Sequence, residues 1–131
     1  MGSAQFTGHS YSAAATETVN AYCFVSSATS AYNDLKVEQA DSGEKPVGIA
    51  SDTVSTSGRY VSIFIDGIGK LKVDGSGTSI AAGDPLKPDN SGRGVKAGTD
   101  KDVYGAIALE PSTAANDIIT VMIVPPTTLS V

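Results

Sequence analysis

Between Tyr60 and Asp66 the chain alternates strictly, with Val61, Ile63 and Ile65 facing one way and Tyr60, Ser62 and Phe64 the other, before Asp66-Gly67 interrupts it. Period two is the pattern of a strand with one buried face, and Asp-Gly is a hairpin turn signal. The same grammar runs along most of the chain. Val19, Ala21, Cys23 and Val25 alternate with other residues, Leu35 and Val37 alternate with Lys36 and Glu38, and Val47 and Ile49 flank Gly48. Ile68, Leu71 and Val73 continue beyond Asp66-Gly67 until Asp74-Gly75-Ser76-Gly77 breaks the chain. Ala82-Gly83-Asp84-Pro85-Leu86 reads as a turn delivering a brief strand, and Pro88 to Gly92 as another turn before Gly94 to Ala97. Val103 to Leu109 and Ile118 to Val124 supply the last strands, with Pro125-Pro126 as the stop, since proline cannot donate to a sheet ladder. The segments 12–18 and 111–116 invite a helix reading, but each is shorter than the ~12 residues a marginal isolated helix needs. No exact internal repeat is visible. The expected fold is all-β: a small β-barrel, or a β-tulip or sandwich of short strands, with an extended N-terminal arm.

The expected boundaries are an arm over residues 1–18, a β-domain over 19–124 and a C-terminal tail over 125–131. The arm is small, polar and almost uncharged, with Phe6 and Tyr11 as isolated aromatics. A stretch of that composition buries too little to order itself, so Phe6 and Tyr11 are the candidate partner-anchoring residues. At 131 residues the chain has room for one ordinary core. Its 14 glycines and low aromatic content suit tight turns between short strands.

Charge and composition exclude several functions. The net charge is −5, and all nine Lys and Arg lie between Lys36 and Lys101, interspersed with acids. No basic stripe is present to neutralise phosphates, so direct nucleic-acid binding is not expected. No apolar run approaches the ~18 residues of a membrane span. The N-terminal MGSAQFTGHS has neither a basic nor an apolar signal region, so synthesis in a cytoplasm is expected.

Catalytic and metal readings find no support in the residue types. His9 is the only histidine and lies in the arm, away from any scaffold to orient it as a general base. Cys23 is the only cysteine, set in an apolar stretch that suits a buried thiol. One His and one Cys do not make a zinc site. Gly67-Ile68-Gly69 is no phosphate loop, because Lys72 stands where the third glycine of the fingerprint falls. The Asp-rich turns from Asp84 to Asn90 lack the calcium-loop pattern and read as side chains capping their own turns. The expectation is a protein with no catalytic residues, no metal and no cofactor, working through its surfaces.

The ordered series PVGIAS, YVSIFIDGIGKLKV, AAGDPLKPDNSGRG, VYGAIALE and IITVMIV, spread over residues 45–124, resembles the small capsid decoration, or cement, proteins of tailed bacteriophages. Its most specific parts are Ala82 to Leu86, Asp89 to Gly92 and Gly105 to Leu109. The resemblance implies a β-barrel or tulip-like virion protein that binds the major capsid protein on the outer face of the head, often as a homotrimer, and stabilises contacts between capsomers. The alternatives it leaves are a head-fibre or tail module and a small β-barrel ligand-binding domain or enzyme.

Overall fold

A computed structural model describes residues 6–28 and 36–131. The strands in chain order are β1 (Ser10–Ala15), β2 (Phe24–Ser27), β3 (Lys36–Gln39), β4 (Gly48–Ala50) and β5 (Tyr60–Phe64). They are followed by β6 (Gly67–Asp74), β7 (Pro85–Pro88), β8 (Gly94–Lys96), β9 (Val103–Ala108) and β10 (Ala115–Thr128). No helix occurs among the described residues. Leu35, expected to begin a strand, and residues 1–5 of the expected arm lie outside the described residues.

The strands close into two barrels in tandem, in the order β1-β3-β2-β4-β5 and then β10-β6-β8-β7-β9. Each barrel contains one parallel pair, β1 with β3 and β6 with β8, and is otherwise antiparallel. About eight strands give a barrel interior that side chains just fill, and a five-stranded barrel is narrower. The first barrel holds Ala13, Ala15, Val19, Val25, Val37, Ala50, Val61 and Ile63. The second encloses Leu71, Val73, Ile80, Leu86, Ala106, Ala108, Ile119 and Val121.

The two barrels have one topology, although the sequence shows no exact repeat. Ala13 opposite Val61 in the first is matched by Leu71 opposite Ile119 in the second, and Ile49 opposite Phe64 by Ile107 opposite Met122. Tyr11 opposite Ile63 corresponds to Gly69 opposite Val121. The isolated bridge between Val19 and Val54 recurs between Ile80 and Ser112. Even the turn before the second strand repeats: Tyr22 (φ 64°) and Gly83 (φ 96°) both take a left-handed conformation. Their N–H groups donate to Ala50 O at 2.8 Å and Ala108 O at 2.7 Å. One topology accommodates both sets of residues because the inward positions require apolar side chains rather than particular ones.

The barrels share a core across their joint. Phe24, Ala40 and Ile49 belong to the first barrel's chain but pack in the cluster of the second, with Phe64 and Phe6 against it. Gly105 makes this approach possible: a Cβ there would stand 2.7 Å from Pro46 Cγ and 3.3 Å from Phe24 Cε1. Main-chain bonds from Phe24 N to Gly92 O (2.8 Å) and from Lys72 N to Tyr22 O (2.7 Å) fix the joint.

Several expectations change. Ser10–Ala15, inside the expected 1–18 arm, is a barrel strand paired on both edges, and its Ala13 and Ala15 pack in the first barrel's cluster. The described residues form two clusters rather than one, and the first takes in Ala13 and Ala15 from outside the expected 19–124 domain. Ile65 is 37% exposed, unlike Val61 and Ile63, because β5 ends at Phe64 and the inward alternation ends with it. Val19 to Val25 is not one strand: the chain turns at Tyr22 before β2. Nor does Pro125-Pro126 start a tail. β10 runs on to Thr128 and pairs with Val103 and Tyr104, and a register shift between Ile123 and Thr127 carries the two prolines past the ladder.

Candidate functional site

The polar side chains mostly fasten the fold. Asp84 accepts a bond from Ala81 N (2.8 Å), and Asp89 accepts from Ser91 N (2.8 Å) and Arg93 N (2.9 Å), so these carboxylates cap their own turns. Arg93 is held by Asp89 at 3.0 Å and Asp74 at 3.3 Å. Asp102 accepts from Lys87 Nζ (2.9 Å), Thr99 N (2.9 Å) and Gly98 N (3.1 Å), and these bonds, that of Lys87 foremost, hold its carboxyl below the usual range.

His9 and Cys23 lie apart. His9 is a surface residue whose N–H donates to Asp66 Oδ1 (2.6 Å) and whose Nδ1 lies 3.0 Å from Asp66 Oδ2. The backbone bond, then the ring, lowers the Asp66 pKa. Cys23 is buried, and that burial pushes its thiol pKa up, away from the reactive thiolate. No three His, Cys, Asp or Glu residues gather as a metal cluster among the described residues. No described helix is long and apolar enough to cross a membrane.

The aromatic candidates also separate. Phe6 stacks on Phe64, ring centroids 4.3 Å apart and planes 15° off parallel, and lies over Gly69. It fills a seam of its own chain. Tyr11 is half-buried on β1, packs at the edge of the first barrel's cluster, and burial raises its phenol pKa. Near Val47, at the same barrel, a pocket of about 290 Å³ is lined by Ser26, Ser27, Glu44, Lys45 and Val47.

The exposed apolar groups are less evenly spread. On the outer face of the second barrel, Met122 (41% exposed) sits between its cross-strand neighbours Ile68 (36%) and Ile107, with Leu109 and Ile118 also exposed nearby on β9's end and β10. Sequence reading missed this row because Ile118 to Val124 is apolar on both faces, which hides which alternate residues point outward.

A family model described as phage cement protein matches residues 6–123. No curated protein matches in sequence. Among solved structures, the N base of the head fibre gp8.5 of bacteriophage phi29 is similar in fold, with a TM-score of 0.69 at 20% identity over 88% of this chain and 92% of that one.

Proposed function

Because the chain belongs to the phage cement protein family, a family of capsid-decorating, head-stabilising virion proteins, we propose that it binds the major capsid protein on the outer face of an assembled head as a homotrimer, without catalysis. The family match over residues 6–123 carries this reading. The physical logic is multivalency: contacts of modest strength, repeated over a lattice, hold capsomers together with an avidity no single contact has. A symmetric homo-oligomer is the natural unit for sites that repeat by symmetry. The −5 net charge suits the exterior better than the DNA-filled interior, and synthesis takes place in the host cytoplasm before the protein joins the particle.

The test is co-sedimentation of the purified protein with undecorated heads, followed by a map of the decorated particle. Saturable binding at many equivalent outer-surface positions is expected; failure to sediment with heads would sink the reading. A second reading, a head-fibre base, is favoured by the likeness to the phi29 fibre base. It predicts density continuing outward into an appendage instead of ending at the barrels.

A further inference from the structure

The tandem arrangement leaves one barrel face covered and its counterpart partly exposed. In the first barrel the face carrying Phe24, Ile49 and Phe64 is packed against the second. The matching positions in the second barrel, from the strand registers, are Pro85, Ile107 and Met122. Phe24 and Ile49 are fully buried, whereas Pro85 and Ile107 are partly exposed and Met122 is 41% exposed, with Ile68 beside it. The receiving side shows the complementary asymmetry. Gly105 and Gly69 of the second barrel lie under Pro46, Phe24 and Phe6. Their counterparts in the first barrel are Val47 and Tyr11, and neither carries the other barrel.

We infer that Pro85, Ile107, Met122 and Ile68 dock onto Tyr11 and Val47 of a second copy of this chain, repeating between molecules the joint that links the two barrels within one. A second copy is the occupant because the chain already contains both halves of the joint, one used and one unused. Side-chain sizes are exchanged: within the chain large aromatics rest on glycines, and between chains smaller aliphatic groups rest on Tyr11 and Val47. Such a contact is heterologous, joining unlike patches, and closes into a ring when its rotation allows. It rests on the self-association in the proposed function and is independent of what the protein does on a head.

Mixing the single variants Pro85→Cys and Val47→Cys tests the pairing directly, because Phe24 and Gly105, their counterparts, touch in the folded chain. With a short bismaleimide, covalent dimers are expected from the mixture and not from either variant alone; the buried Cys23 serves as background in the unmodified protein. Dimers from Pro85→Cys alone would show a twofold contact and overturn the inference. In parallel, Met122→Glu should reduce the mass by light scattering to that of one chain while leaving its far-UV circular dichroism intact, since the side chain points outward. An oligomer unchanged by Met122→Glu, with no mixed cross-link, would overturn this surface assignment but leave the homotrimer standing. A wild-type protein that is monomeric at ~100 μM would overturn both the surface and the homotrimer. Head binding is read separately by co-sedimentation, so loss of head binding with oligomer and cross-link retained supports the inference and counts only against the head contact.

Discussion

Asp102 shows how single residues hold turns in a protein with few large side chains. Its carboxylate gathers the Lys87 ammonium and two main-chain N–H groups from the 98–99 turn. Because these bonds depress its folded pKa, the unfolded chain takes up the proton first as pH falls. The stabilisation is therefore fully present above the unfolded value of about 3.9 and is lost as pH drops through the lower folded value. Thermal melts between about pH 6 and 3 should show the wild type losing stability at the acid end. Asp102→Asn should be less stable at neutral pH and show a flatter acid dependence. Equal slopes for the two proteins would mean that the latch contributes nothing. The residues that cap turns were readable in advance, since Asx chemistry is local. Which lysine completes the Asp102 latch was not readable, because Lys87 reaches it from another strand.

At the scale of elements, β1 is the instructive strand. Its interior residues are Ala13 and Ala15, and alternation among alanines, serines and a tyrosine gives almost no hydropathy signal. The sequence therefore reads as an arm. In the structure β1 closes the first barrel by pairing with β3 on one edge and β5 on the other. Removing residues 2–17 should therefore do more than trim an end. It would leave β3 and β5 each with one unpaired edge and expose Val37, Val61 and Ile63. The truncated protein is expected to be insoluble or to lose its cooperative melt; a soluble truncated form with an unchanged melt would show that β1 is dispensable. At the other end the prolines misled for a related reason. Proline bars a regular central ladder, but β10 passes Pro125-Pro126 with a shift in register and resumes pairing at Thr127.

For the whole molecule, the joint decides whether two barrels behave as one. Phe24, Ala40 and Ile49 complete the second barrel's cluster, so that cluster is incomplete without the first barrel. Calorimetry should therefore show one transition with matching calorimetric and van't Hoff enthalpies, and Gly105→Val should lower its midpoint by crowding Pro46 and Phe24, at a cost of about 1–3 kcal/mol. Two separate transitions in the wild type would show barrels that fold independently. The sequence by itself determined the all-β class, the turns, the inward facing of Val61 and Ile63, and the order of segments that carries the family resemblance. These are properties of local alternation and turn chemistry, which a strand expresses wherever it sits. Only the tertiary structure decided that the strands close into two barrels rather than one, that the alanine stretch is a strand, that Phe6 stacks on Phe64 of its own chain, and which apolar face stays uncovered. Each depends on what packs across from a residue: pairing with β3 and β5 makes Ala13 and Ala15 core residues, and a glycine on a neighbouring barrel makes room for a phenylalanine.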